Sequence, residues 1–144
     1  MKFTKTLVIT GFAFAATALY AAERTDPNAI ARSELMETIG GATKVLGGMA
    51  GGKAPYDAAA AEAAKTALAE AAAKITATFE TQGGADPADE AKPEIWANWD
   101  DFVKKSGALE AAATALDASS LEGVQAGMGA IGGTCKDCHT AYRM

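Results

Sequence analysis

The chain is predicted to be all-α, an antiparallel up-down-up-down four-helix bundle. Three observations predict it. The sequence is rich in alanine, and no run alternates apolar with polar residues as a half-buried strand would. Four segments each carry apolar residues spaced three and four apart, the period of one helix face. Proline opens three of these segments and glycine pairs close two, which leaves mostly short connections that make neighbours run antiparallel.

The first predicted helix opens at Asp26-Pro27, a capping residue with proline at the first helical position. It runs to about Met49 and stops in Gly51-Gly52. Arg32, Leu35, Met36, Ile39, Thr43 and Leu46 share one of its faces. The second follows Pro55, from about Asp57 to Gln82, with Leu68, Ala72, Ile75 and Phe79 as its stripe, and ends at Gly83-Gly84. Residues 85–92 read as a polar loop. The third opens at Pro93 and continues to about Leu116, carrying Trp96, Trp99, Phe102 or Val103, Leu109 and Leu116; Gly107 weakens its middle. Ser119 and Glu122 form a capping-box pattern for the fourth. That helix runs to about Tyr142 despite glycines at 127, 129, 132 and 133. Its stripe of Leu121, Val124, Met128, Ile131, Cys135, Cys138 and Tyr142 alternates steps of three and four, so both cysteines fall on the buried face.

Residues 1–22 precede this domain of residues 23–144. Lys2 and Lys5 form a positive region, Leu7 to Tyr20 is uncharged and apolar, and Ala21-Ala22 offers small residues for cleavage. The pattern predicts a signal peptide and a periplasmic protein, because the apolar run is too short to span a bilayer. Removing Lys2 and Lys5 takes the net charge from −5 to −7. An acidic chain is a poor nucleic-acid ligand and suits a redox partner with a positive docking patch.

The chemistry lies near the C-terminus, in Cys135-Lys136-Asp137-Cys138-His139, where His139 is the only histidine. C-x-x-C-H is the attachment pattern of c-type haem. Two thiols add across the two vinyl groups of the porphyrin, and the adjacent imidazole supplies an axial ligand to the iron. Bacteria attach this cofactor outside the cytoplasm, in agreement with the signal peptide. A thioredoxin-like dithiol needs its first cysteine near a helix N-terminus, whereas this pair lies in the last turns. A structural zinc site needs four ligands, and the chain has two cysteines and one histidine. A disulfide across three helical residues would leave His139 without a role.

In the bundle, the end of the fourth helix lies level with the start of the first, the end of the second and the start of the third. Phe79, Trp96, Trp99, Phe102 and Tyr142 all fall at that level, and Tyr56 does not. They are expected to wall a large planar cofactor, against the plainer reading of an aromatic core layer. Arg32 is anomalous in an apolar stripe, because a buried charge needs a partner. A haem propionate is the favoured partner, gripped by the guanidinium fork. Snorkelling to the rim, or pairing with Asp26, Glu90 or Asp101, is the alternative.

With no second histidine, a strong sixth ligand would have to be methionine or lysine. Met128, on the same helix as His139, is not expected to reach the opposite face of the haem. Met49 lies 13 residues beyond Met36, about 20 Å along the helix. Met36 remains. It either binds the iron or fills the distal side as an ordinary buried methionine.

These residues resemble a known family, the class II cytochromes c, which include cytochrome c′ and its low-spin relatives. The resemblance rests on Gly132-Gly133-Thr134-Cys135-Lys136-Asp137-Cys138-His139 with Tyr142-Arg143, on Ile95-Trp96-Ala97-Asn98-Trp99-Asp100-Asp101-Phe102, and on Arg32-Ser33-Glu34-Leu35-Met36. It covers the whole predicted mature chain. It implies a left-handed antiparallel bundle, one covalent haem c and no enzymatic activity. It also implies a propionate-binding role for Arg32, and one of two roles for Met36. In cytochromes c′ the iron is five-coordinate and high-spin, an apolar side chain blocks the distal face, and nitric oxide or carbon monoxide binds; many are homodimers through their first two helices. In the low-spin relatives a methionine of the first helix is the sixth ligand. The phrase Glu34-Leu35-Met36 resembles the low-spin branch, which implies electron transfer with His139 and Met36 as axial ligands. Gly40, Gly41, Gly47 and Gly48 would allow close packing in a dimer, or are tolerated flexibility.

Overall fold

The computed structural model describes residues 23–144, so the predicted signal segment at 1–22 lies outside the described residues. Six helices follow in order: α1 (Pro27–Ala50), α2 (Ala58–Ala72), α3 (Ile75–Phe79), α4 (Glu94–Ala97), α5 (Trp99–Ala115) and α6 (Leu121–Tyr142). They make four rods, α1, α2 with α3, α4 with α5, and α6. α1 packs on α2 and α6, and α5 packs on the same two, so the rods close a bundle. This is the predicted architecture.

Leu46, Leu68, Val124 and Ile131 are fully buried on the axis, each worth about 1.5–3 kcal/mol of transfer free energy. Ala61, Ala64, Ala71, Ala72 and Ala113 fill the space between them, and their small side chains let the rods approach closely. The end made by the α1–α2 and α5–α6 connections is closed by Tyr56, whose hydroxyl donates to the Ala118 carbonyl at 2.8 Å. Met49 is buried there.

The boundaries differ from expectation at three places. The second helix is not continuous to Gln82. A turn at Ala73-Lys74 separates α2 from α3, and α3 ends at Phe79. The carbonyls beyond that point are claimed by side chains: Phe79 O accepts from the Trp96 indole at 2.8 Å, and Thr81 O and Gln82 O accept from Arg32. The third helix breaks at Asn98, whose backbone leaves the helical region (φ −127°, ψ 46°) and whose amide donates to Glu94 O at 3.0 Å. The cap of α6 is Ser120, which accepts from Gly123 N at 3.0 Å, and not Ser119. The Ser119 hydroxyl is engaged by Asp117 at 2.6 Å, so the predicted capping box does not form.

The loop at 80–93 straps the other end of the bundle. Asp26 caps α1 by accepting from Asn28 N and Ala29 N, and its second oxygen accepts from Gly84 N at 2.9 Å. Gly83 sits at φ +78°, and a Cβ there would lie 2.5 Å from Asp26 Oδ1, so only glycine fits. Asp86 accepts from Thr25 N and Asp26 N. Ala91 forms an antiparallel bridge with Arg143, which fastens the segment after the cysteines to the loop.

Candidate functional site

A cavity of about 720 Å³ opens at the strapped end. That lies within the range of about 300–1,000 Å³ usual for small-molecule and cofactor sites. Cys135, Cys138 and His139 lie on the wall made by α6. Met36 and Ile39 of α1 line it, as do Phe79 of α3 and Phe102 of α5. The helical period explains the α6 wall: residues 135 and 138 stand one turn apart on one face, and 139 is next to them.

The two thiols are free and half-buried. Burial pushes Cys135 above its ordinary value, and pushes Cys138 up to about 11, with Lys105 opposing. Both are therefore neutral thiols near pH 7, at the helix end whose dipole disfavours a thiolate. A nucleophilic dithiol is unsupported. Among the described residues no group of three or more His, Cys, Asp or Glu could hold a metal ion, so the zinc alternative finds no ligand set. Burial, then the Arg143 charge, lowers the His139 pKa, which favours the neutral imidazole that ligates metals.

Arg32 is 2% exposed. Its Nη2 meets Asp89 Oδ2 at 2.6 Å, and Nη1 and Nη2 donate to Thr81 O and Gln82 O at 3.0 and 3.2 Å. The carboxylate partner is thus Asp89, and none of Asp26, Glu90 or Asp101. Asp89 lies in the irregular strap, where no periodic pattern marks a residue as facing inward. The guanidinium stands over the Trp96 ring at 5.3 Å and the Phe79 ring at 5.7 Å, in cation–π range. One polar atom is left over: Arg32 Nε is buried without a hydrogen-bond partner, on a residue that lines the cavity. Such a donor is costly unless a ligand satisfies it.

The aromatic wall needs correcting. Phe79 and Phe102 line the cavity, and so does Tyr142. Trp96 and Trp99 do not. Trp96 turns its indole N–H to the Phe79 carbonyl and its ring to Arg32. Trp99 stacks behind Phe102, with centroids 5.5 Å apart and planes 25° apart. The break at Asn98 sets both rings outside the lining, because it shifts the helical register between residues 96 and 99. Phe79 and Tyr142 complete the cluster around Phe102 at 5.2 and 5.5 Å. The Tyr142 hydroxyl donates to Asp101 Oδ2 at 2.6 Å, which holds the phenol up at about 12.

Among the methionines, Met36 lines the cavity and Met49 is not part of it. Met128 also lines it, from the helix that carries His139. Its methyl lies 3.6 Å from where a Gly47 Cβ would stand, an ordinary contact distance, so Met128 packs beside Gly47 of α1. Gly41 is exposed, and a Cβ there would meet nothing within 4 Å.

The donor set fits a covalent haem: two thiols and an imidazole on one wall, aromatic sides, a thioether on the adjoining helix and an unpaired guanidinium N–H for an anionic substituent.

Comparison with known proteins agrees. The family model described as Cytochrome C′ matches residues 28–143. The chain is 43% identical over 119 residues to a cytochrome c-556 of Agrobacterium tumefaciens (strain apple 185), covering 79% of this chain and 92% of that one. It is 36% identical over 104 residues to a cytochrome c-554 of Cereibacter sphaeroides, covering 68% of this chain and 68% of the relative. Among solved structures, cytochrome c′ from Rhodobacter Spheriodes superposes with a TM-score of 0.73 at 31% identity, over 81% of this chain and 95% of that one. A ferrous variant of cytochrome c prime from Alcaligenes xylosoxidans with bound NO superposes with a TM-score of 0.71 at 30% identity, over 81% and 94%.

Proposed function

The chain belongs to the cytochrome c′ family of haem proteins, whose members carry covalent haem c and are not enzymes, and on that premise we infer that it is a periplasmic one-electron carrier with His139 and Met36 as axial ligands. The haem supplies reversible one-electron chemistry at its iron. The chain's own residues determine how that iron is held and shielded.

Cys135 and Cys138 fix the cofactor to α6 through two thioethers, and His139 holds one face of the iron. Phe79, Phe102 and Tyr142 exclude water and keep the local dielectric low. Arg32 binds a propionate through its Nε, while Asp89 holds the guanidinium in place. The observation that carries the reading is the position of Met36. It lines the same cavity as His139 from the adjoining helix, α1, and so approaches the cofactor site from a different wall. A closed coordination sphere changes little between oxidation states, and thioether ligation raises the potential. The pattern of residues 1–22 supports export, and among the described helices none is long and apolar enough to cross a membrane.

A second reading is favoured by the neighbour with bound NO: the iron is five-coordinate, Met36 only lines the distal side, and a diatomic gas binds there. The optical spectrum of the purified holoprotein decides between the two. A low-spin spectrum in both oxidation states, unchanged by carbon monoxide, is expected. Ready carbon monoxide binding to a high-spin ferrous form would overturn Met36 ligation and leave the gas-binding reading.

A further inference from the structure

A second depression lies on the outer surface of the bundle. The chain leaves the helix at Asn98, and the break forms a shallow surface depression of about 420 Å³ lined by Trp96, Trp99, Asp100 and Asp101. Asp100, which lines it, and Glu94, at the start of the adjoining α4, are exposed, and among the described residues neither is held in a salt bridge. Asp101 is exposed too; it accepts from Tyr142 and lies 3.8 Å from Lys105, whose ammonium is held more closely by Asp137 at 2.5 Å. Lys104 is the exposed lysine nearest to Asp100 along α5, one turn on. Two indoles and the unpaired Asp100 carboxylate, with Asp101 beside it, together make a site for a cation. The indoles offer aromatic contact to an ammonium or guanidinium, and Asp100 neutralises it.

The depression is also connected to the interior. Trp99 is half-buried at its edge and stacks on Phe102, and Phe102 lines the cavity. Two aromatic rings in contact thus run from the surface to the cofactor site, with no saturated side chain between them.

We propose that the depression at the α4–α5 break is the docking point for a lysine or arginine of a redox partner protein, and that Trp99 and Phe102 form the aromatic contact between that partner and the haem cavity. The proposal rests on the electron-transfer reading above. Each encounter moves one electron from the reduced cytochrome to the oxidised partner, with no atom or proton transferred. Charge complementarity selects the occupant: the patch and the chain as a whole are acidic, which steers a basic partner to this face and repels an acidic one. A partly exposed tryptophan beside polar groups is a common anchor of such contacts.

The test uses the holoprotein and two small oxidants of opposite charge, tris(phenanthroline)cobalt(III) as the cation and ferricyanide as the anion. Oxidation of the ferrous haem is followed by stopped flow. Removing the patch charge with Asp100→Asn and Glu94→Gln is expected to slow the cobalt reaction about tenfold, to flatten its dependence on salt, and not to slow ferricyanide. A control pair on α2, Glu62→Gln with Glu70→Gln, removes the same charge elsewhere. Trp99→Leu is expected to slow the cobalt reaction with the spectrum unchanged, and Trp99→Phe to restore it. Mapping with hexaamminechromium(III), a paramagnetic cation, is expected to broaden the Trp99 indole N–H resonance before those of α2. Equal losses in the control pair, equal losses with both oxidants, or broadening spread over the surface would each overturn the proposal. The carbon monoxide experiment tests iron ligation separately, so failure of one reading is distinguishable from failure of the other.

Discussion

Arg32 and Asp89, both lining the cavity, form a largely buried ion pair, Nη2 to Oδ2 at 2.6 Å, that joins the first helix to the strap. The pair leaves the guanidinium with one unused donor, Nε. Removing one partner of a buried pair leaves the other charge without compensation. Asp89→Asn is therefore expected to lower stability by about 3 kcal/mol, and Arg32→Ala by at least as much, in urea unfolding of the holoprotein. Arg32→Lys should recover only part of the loss, because an ammonium cannot serve two carbonyls, a carboxylate and a propionate in one plane. Unchanged stability in Asp89→Asn would show that the pair is not formed in solution.

Met36→Ala is expected to convert the low-spin spectrum to high-spin and to open the ferrous protein to carbon monoxide. Met128→Leu should leave the spectrum as it is, because Met128 shares the helix that carries His139. If Met128→Leu changes the spin state and Met36→Ala does not, the sixth ligand has been assigned to the wrong thioether.

Two glycines should respond in opposite directions. Gly83→Ala forces a side chain into the left-handed region and against Asp26 Oδ1, which also caps α1. Its expected cost is about 1–2 kcal/mol. Gly41→Ala adds a Cβ that meets nothing within 4 Å, inside a helix, and should stabilise by up to about 1 kcal/mol. Thermal melts of the two variants side by side check both signs. Loss of stability in Gly41→Ala would point instead to a contact with a second copy at that face.

Asp26 contributes to acid stability. The backbone N–H of Gly84, then that of Ala29, holds its carboxyl below the ordinary value of 3.8. A folded-state value below the unfolded one means that the contribution is complete above pH 3.8 and is lost as pH falls through the lower, folded value. Asp26→Asn keeps a cap at neutral pH but carries no such charge. Its stability relative to the parent should fall short at pH 6 and converge as pH falls through the lowered folded value, measured by helical circular dichroism. A constant difference across that range would show that the carboxylate's charge is not what the strap uses.

The bundle was legible because helix periodicity is a local signal. The three-four alternation from Leu121 to Tyr142 needs no knowledge of the other rods, and α6 lies where it predicted. Boundaries were legible only where the backbone's own chemistry sets them, as at Asp26-Pro27. Where a side chain from another rod claims a carbonyl, as Trp96 does at Phe79, no local pattern records it. Ser119 and Ser120 are equally good caps in sequence, and Asp117 decides between them by engaging the first.

By itself, the sequence determined the four-helix class and the cofactor chemistry, since Cys135, Cys138 and His139 lie within two helical turns and their relation survives any packing. Only the tertiary structure decided who meets whom across the rods. It paired Arg32 with Asp89, set Trp96 and Trp99 behind the cavity wall, and brought Met128 into it beside Gly47. Those relations depend on where separate rods break and how closely they approach, and such long-range geometry leaves no period in the chain.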